Sequence, residues 1–99
     1  LLKVTTSRHA AAYFSQEEYL FKNGRLWFYY LHEGEEGNEW ETRVYYNDKG
    51  IAFKTSVKAN GKELTAKELA TAEFKDFKPN TASVLLAAKK WQDLFVKSQ

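Results

Sequence analysis

Apolar and polar residues alternate along the first half of the chain, and a period of two predicts β-strands. The stretch from Tyr19 to Phe53 carries ten aromatic side chains and reads as three consecutive strands. An Asn23-Gly24 pair lies between two apolar runs and favours a two-residue hairpin, because both turn residues tolerate positive φ. A second turn is predicted over residues 47–50. The rest of the chain has to cover this aromatic sheet.

The strand before the hairpin has an uncertain start. Residues 1–12 alternate as a half-buried first strand, but the alanines in residues 10–14 also favour helix. Ser15 and Glu18 have the spacing of a helix capping box, which competes with a strand. Because the Asn-Gly turn demands a strand on each side, we expect a strand over residues 16–22.

The third strand, Arg25 to His32, has two apolar faces. Alternation places three residues on each face, Leu26, Phe28 and Tyr30 against Trp27, Tyr29 and Leu31. A strand of this kind is typical of a sheet centre that is covered on its second side. A polar loop is then predicted over residues 33–38.

Two further strands complete the predicted sheet. The fourth spans residues 40–46 and alternates in the ordinary way. The fifth spans residues 51–57, with the inward positions Ile51, Phe53, Thr55 and Val57. Lysines at its outward positions favour a place near the sheet edge.

After Asn60-Gly61 the apolar period changes to that of a helix. Thr65 and Glu68 form a capping box, flanked by the hydrophobic staple of Leu64 and Leu69. The predicted helix covers residues 64–77 and ends before Pro79, which disfavours helical backbone at the residue before it. A second helix is predicted over residues 80–97, with the apolar stripe Val84, Ala87, Ala88, Trp91, Leu94 and Phe95. We expect Trp91 and Phe95 to pack on the sheet.

These elements predict an α+β fold, an antiparallel β-meander of about five strands followed by two C-terminal helices packed on one face. All 99 residues form one predicted domain, with the meander in residues 1–58.

Composition narrows the possible functions. The chain has no cysteine, which excludes disulfides, thiolate metal sites and cysteine nucleophiles. Its net charge of +2 is divided unevenly, with six Lys or Arg against eight Asp or Glu in residues 1–49 and nine against five in residues 50–99. So mild a split indicates no clustered basic surface, and a nucleic-acid partner is not expected. The sequence has no run long enough for a membrane-spanning helix. It also has no methionine, and we expect a trimmed product in which any signal peptide is lost from view.

Two sequence segments carry a family resemblance. The segment 18–28, EYLFKNGRLWF, and the segment 43–50, RVYYNDKG, resemble the paired aromatic YYF-x-NGKL hairpins of small uncharacterised bacterial proteins that are usually exported. The resemblance implies an antiparallel meander, a periplasmic or secreted location and no assigned activity. Residues 51–53, Ile-Ala-Phe, depart from the basic and polar ending of that pattern.

Little in the sequence indicates an enzyme, a metal site or a cofactor. His32 lies next to Glu33, Glu35 and Glu36, which could bind a divalent ion or act as an acid-base pair, but a solvated polar loop is the favoured interpretation. The sequence contains no nucleophile elbow and no phosphate-binding loop. We therefore predict a protein that is not an enzyme and binds neither metal nor cofactor.

The aromatic residues are the candidate binding site. Trp27, Tyr29 and Tyr45 could line a groove between the sheet and the C-terminal helix and hold a sugar, a peptide or a hydrophobic molecule. Burial in the core is the competing interpretation. A protein partner could instead bind the sheet face or add a strand at its edge. We predict a non-catalytic binding or protein-interaction module, and the small-ligand groove is its alternative.

Overall fold

The computed structural model describes residues 2–71 and 79–98. In this part of the chain one antiparallel sheet has its strands in sequential order, and helices follow it. The elements are β1 (Leu2–Ala10), β2 (Tyr13–Lys22), β3 (Arg25–Glu35), β4 (Asn38–Tyr46), β5 (Ala52–Ala59), β6 (Lys62–Glu63), α1 (Ala66–Leu69) and α2 (Thr81–Ser98). The predicted α+β meander is confirmed, with a short sixth strand added at one edge.

Tight turns join the strands. At Asn23 and Gly24 φ is 54° and 76°, so the predicted two-residue hairpin is confirmed. Glu36 and Gly37 make a similar turn, with φ of 51° and 82°. The predicted loop over residues 33–38 was therefore wrong, because β3 and β4 extend to the turn itself.

The start of β2 resolves the uncertain segment. Ala11 has a φ of 52° in the turn that ends β1, so the first strand is shorter than the predicted 1–12. The second strand begins at Tyr13, earlier than the predicted residue 16. The capping box proposed at Ser15 is therefore not a helix start, because that residue pairs with Arg8 and Glu33 inside the sheet.

A β-bulge in β3 changes which residues share a face. Phe21 pairs with Leu26, whereas Leu20 pairs with Phe28, so Trp27 is the extra residue. Leu26 consequently faces the same side as Tyr29, and both are buried in one core. The regular alternation predicted for this strand was wrong at this point.

A second bulge lies in β5. Tyr45 pairs with Lys54 and Tyr46 pairs with Ala52, which leaves Phe53 as the extra residue. Phe53 is 65% exposed and Ile51 is 59% exposed. Thr55 is exposed as well, so of the predicted inward positions in this strand only Val57 is buried. The predicted place near the sheet edge is confirmed, because of the strands described only the two-residue strand β6 lies beyond β5, and it pairs only with Lys58 and Ala59.

The two helices described begin at residues 66 and 81, within two residues of the predicted starts at 64 and 80. Thr65 and Glu68 form the predicted capping box, but α1 covers only residues 66–69 of the predicted 64–77, and residues 72–78 lie outside the described residues. For α2, the amide of Ser83 donates to Asn80 Oδ1 at 3.0 Å, so Asn80 caps the helix. Its bounds, Thr81–Ser98, differ by one residue at each end from the prediction.

One face of α2 packs against the sheet. The helix residues Val84, Leu85, Ala87, Ala88 and Trp91 contact a core formed by Val4, Tyr19, Phe21, Leu26, Tyr29, Val44 and Tyr46. The predicted stripe is therefore confirmed up to Trp91. It was wrong at Leu94, which is 49% exposed, and the side chain of Phe95 lies outside the described part.

Two hydrogen bonds fix how α2 crosses the sheet. The Tyr46 hydroxyl in β4 donates to the Thr81 carbonyl at 2.9 Å, at the beginning of the helix. Further along, Gln92 Nε2 donates to the carbonyl of Gly24, in the turn between β2 and β3, at 2.7 Å. The helix thus runs from β4 towards the β2–β3 turn and does not itself cover the part of the sheet face beside it.

Candidate ligand-binding groove

A groove of about 450 Å³ lies between the flank of α2 and the sheet. Its sheet side consists of Glu17, Tyr19, Tyr29, Leu31, Glu33 and Thr42. Its helix side consists of Pro79, Asn80, Ser83, Val84 and Ala87. We call it the helix–sheet groove. Its volume lies in the range of pockets that hold small molecules.

Strand register brings the sheet residues together. Tyr19 pairs with Tyr29, and their rings are 5.0 Å apart between centroids. One pair further along the same face, Glu17 pairs with Leu31, and Leu31 pairs with Thr42 in β4. Alternate residues of a strand share a face, so these side chains form one continuous floor across three strands.

Glu17 is held by hydroxyl groups on three strands. Its Oε2 accepts hydrogen bonds from the Tyr29 hydroxyl at 2.6 Å and from the Tyr19 hydroxyl at 3.0 Å. Its Oε1 accepts a third from the Thr6 hydroxyl at 3.0 Å. Hydrogen bonds to an ionised carboxylate are shorter and stronger than those between neutral groups. The carboxylate is therefore fixed in place at the floor of the groove.

The two tyrosines keep their protons. Burial raises the pKa of Tyr29, and the hydrogen bond to Glu17 raises it further. Burial and the charge of Glu17 likewise raise the pKa of Tyr19. Both hydroxyls consequently act as donors to the carboxylate at all ordinary pH values.

A second carboxylate lies beside the first. Glu33 is one position beyond Leu31 on the same face, and its Oε2 accepts from the Tyr13 hydroxyl at 2.9 Å. Among the described residues neither Glu17 nor Glu33 makes an ion pair. Among the described residues that pair in line with Glu17 or Glu33 across the sheet, Arg8 is the one cation. It is exposed and lies two strands away from Glu33. Within residues 2–71 and 79–98 the groove therefore holds two carboxylates that no cation pairs with.

The helix side of the groove is mainly apolar. Val84 and Ala87 lie one turn apart on α2 and face the tyrosine rings of the floor. Asn80 and Ser83 at the helix start add polar groups, although Asn80 Oδ1 already caps the helix. A ligand here would meet an aliphatic wall on one side and carboxylates on the other.

The three predicted aromatic site residues do not come together. Tyr29 lies in the groove and is 5% exposed. Tyr45 lies on the opposite face, where its ring is 5.0 Å from that of Phe28. Trp27 lies at the bulge near the hairpin turn and is 48% exposed. The predicted groove between sheet and helix exists, but of the three only Tyr29 lines it.

His32 lies beside a different carboxylate from those that the sequence analysis named. His32 Nε2 is 3.6 Å from Glu39 Oε2, and its ring contacts Phe14 edge-on with centroids 5.2 Å apart. This pair lies on the sheet face away from the groove. Within the described residues no group of three or more acidic, histidine or cysteine side chains is arranged to hold a metal.

Sequence analysis considered Glu33 only as a neighbour of His32 and did not select Glu17 as a site residue. The available signal was weak: Glu17 alternates with Tyr19 and so shares its face. The partner across the hairpin depends on the bulge at Trp27, which the sequence pattern did not indicate.

Fold and groove together define a small α+β protein with a partly covered antiparallel sheet. Comparison of the chain with family models, curated proteins and solved structures gives no match. The resemblance to exported hairpin proteins therefore stays a prediction. Of the helices described, neither is long and apolar enough to cross a membrane.

Proposed function

We propose that this chain is a non-catalytic binding module whose ligand enters the helix–sheet groove. The ligand class that fits is a small molecule or peptide side chain that carries an ammonium or amidinium group on an apolar body. The observation that supports this most strongly is the pair Glu17 and Glu33, two carboxylates in a cavity of about 450 Å³ that make no ion pair with any described residue.

Charge and shape both favour such a ligand. A cationic group would form charge-assisted hydrogen bonds with the carboxylates, which are stronger than neutral ones. The apolar part would contact the Tyr29 ring, Val84 and Ala87, and would gain free energy from buried apolar area. Because Glu17 is already oriented by three hydroxyls, little side-chain entropy is lost on binding.

Binding without catalysis fits the same geometry. Glu17 accepts three hydrogen bonds, which suits a fixed acceptor rather than a group that gives up and takes protons. The histidines lie elsewhere: His9 is exposed on β1 and His32 is on the opposite face. The residues around the groove supply charge and contact area but no activated nucleophile.

A titration with benzylamine tests this proposal. We expect saturable changes in the amide signals of the groove strands and of residues 83–87, with a dissociation constant of roughly 1 mM for so small a ligand. Benzyl alcohol, which has the same shape without the charge, should cause much smaller changes.

Matched variants locate the binding. Glu17→Gln should weaken benzylamine binding about tenfold, which is the effect of losing one charge-assisted contact. The neighbouring Glu18→Gln removes the same charge from the opposite face, where Glu18 pairs with Lys3, and should leave binding unchanged. Equal binding of the alcohol, or equal loss in both variants, would refute the groove as a cation site.

A protein partner is the second candidate. Among the strands described, the nine-residue β1 pairs with β2 alone, so its outer hydrogen-bonding groups could accept an added strand. Proline at an outward-facing amide of β1 should abolish binding of such a partner, whereas the groove ligand should still bind. A location outside the cytoplasm belongs to the same proposal and rests on the hairpin resemblance.

A further inference from the structure

Exposed apolar side chains gather where two hairpin turns lie side by side. Trp27 is 48% exposed, Ile51 59% and Phe53 65%. Arg25 Nη1 donates to the Asp48 carbonyl and so ties the β2–β3 turn to the β4–β5 turn. We call this surface the turn-end patch. Large apolar side chains on a soluble surface are ordinary when single, but a cluster marks an interaction site.

Cations surround the apolar side chains. Lys22 Nζ lies 4.6 Å from the centroid of the Trp27 ring. Lys54 Nζ lies 5.5 Å from the Tyr45 ring, which is 6.3 Å from the Phe53 ring between centroids. Two lysines beside these turns thus lie over aromatic rings.

The charge of the turn-end patch is mainly positive. Four cations, Lys22, Arg25, Lys49 and Lys54, belong to these turns and the strand ends beside them, and all four are exposed. Asp48 is the acidic residue in the two turns. The whole chain has a net charge of only +2, so positive charge is concentrated here. An anionic partner is favoured.

We propose that the turn-end patch docks onto an anionic lipid bilayer, with Trp27, Ile51 and Phe53 entering the headgroup region. Tryptophan and lysine together are typical of side chains at a membrane interface. This proposal concerns a different surface from the helix–sheet groove and does not depend on a ligand there.

The shape of the patch favours a bilayer over an acidic peptide. A peptide needs a groove with apolar walls, but the cavity of about 480 Å³ beside Trp27 has mostly polar walls. They include Lys22, Asn23, Arg25, Asn47 and Asp48. The exposed apolar side chains project from the turns instead, which suits insertion between lipid headgroups.

Co-sedimentation with vesicles tests the proposal. The full chain should pellet with vesicles of phosphatidylcholine containing roughly a third phosphatidylglycerol, and binding should weaken as salt is added because the attraction is screened. Vesicles of phosphatidylcholine alone should bind far less. Equal pelleting with both vesicle types, or with neither, would overturn the proposal.

Charge variants locate the contact. Exchange of Lys22, Lys49 and Lys54 for Gln should weaken partitioning roughly a hundredfold, since each lysine near an anionic leaflet contributes about a factor of five. Exchange of Lys3, Lys58 and Lys67 for Gln removes the same charge from outside the patch and should change partitioning much less. An equal effect of both triple variants would show a diffuse net-charge effect and contradict a defined patch.

Tryptophan fluorescence and substitutions of exposed apolar residues test whether these side chains insert into the bilayer. Trp27 fluorescence should shift to shorter wavelength on the anionic vesicles, and the Trp27→Phe variant should bind while lacking that shift. Phe53→Ser should weaken binding, whereas Leu86→Ser, at a 73% exposed position on α2, should not. Tight binding of poly-glutamate together with no vesicle binding would instead identify an acidic polypeptide as the partner.

Discussion

Glu17 joins three strands through a single carboxylate. Thr6 lies in β1, Tyr19 in β2 and Tyr29 in β3, and all three hydroxyls donate to it. Tyr19 and Tyr29 are nearly fully buried, so their hydroxyls need an acceptor away from water. A carboxylate can accept all of them because it has four lone-pair sites. The same arrangement leaves its negative charge at the groove, where a cation could reach it.

The strength of this network can be measured with tyrosine variants. Tyr29→Phe removes a hydrogen bond to a charged acceptor and should lower the free energy of unfolding by about 1.5–3 kcal/mol. Tyr46→Phe removes a 2.9 Å bond to a neutral carbonyl at a similarly buried ring and should cost about 0.5–1.5 kcal/mol. Urea unfolding of both variants compares them. A larger loss in the Tyr46 variant would mean that Glu17 is not the stronger acceptor.

Tyrosine ionisation predicts a loss of stability in alkali. Burial raises the pKa of Tyr46 to about 12, and burial with the hydrogen bond to Glu41 raises that of Tyr30 to about 12. The unfolded chain releases these protons near pH 10, whereas the folded chain retains them. The contribution of these two tyrosines to the free energy of unfolding is therefore fully present below pH 10, and it is lost as the pH rises from 10 towards 12. The slope is about 1.4 kcal/mol per pH unit for each retained proton.

Urea unfolding at several pH values above 9 checks this behaviour. The Tyr46→Phe variant serves as the control, since it lacks one of the raised groups and should show a shallower decline. A wild-type stability that stays constant up to pH 11 would contradict the retained protons.

Sequence analysis missed Glu17 because the register of β2 and β3 differs from that of a regular hairpin. A regular hairpin about Asn23-Gly24 would pair Glu17 with Tyr30, whereas the structure pairs it with Leu31. The sequence showed the residue type and its alternation with Tyr19. It did not show that the pairing residue of β3 is displaced by one position. This displacement decides which β3 side chains share a sheet face with Glu17 and lie next to it.

At the scale of elements, the bulge at Trp27 decides which side chains form the core. It allows Leu26 and Tyr29 to lie on one face although their spacing is odd. The regular alternation pattern therefore assigned Leu26, which precedes the bulge, to the wrong face of β3. By contrast, local signals with a specific geometry were reliable: the Asn-Gly turn and the Thr65 capping box both occur where the sequence predicts them.

Two single-residue deletions test the role of the bulge. Deletion of Trp27 removes the extra residue, so Leu26 and Phe28 keep their faces and we expect a folded, cooperatively melting domain. Deletion of Tyr30, in the same strand, forces one side of the strand to change faces and should prevent cooperative folding. Circular dichroism melts distinguish the two. Cooperative folding of the Tyr30 deletion, or collapse of the Trp27 deletion alone, would refute the bulge assignment.

At the scale of the whole molecule, the sequence predicted the class of fold but not its surfaces. The meander and α2 follow from periodicity and turn residues, which act locally. The helix–sheet groove depends on how α2 crosses the sheet, and that is set by contacts between residues far apart in the chain, such as Tyr46 with Thr81 and Gln92 with Gly24. The turn-end patch likewise depends on two distant turns lying side by side.

The central claim is that two carboxylates in the helix–sheet groove recognise an organic cation. The carboxyl carbon signals of the glutamates, followed by NMR as benzylamine is added, test it directly. The account predicts that Glu17 and Glu33 shift together and saturate, while Glu18 and Glu41 on the opposite face do not move. Equal shifts at all four carboxyl groups, or no saturation at Glu17, would contradict it.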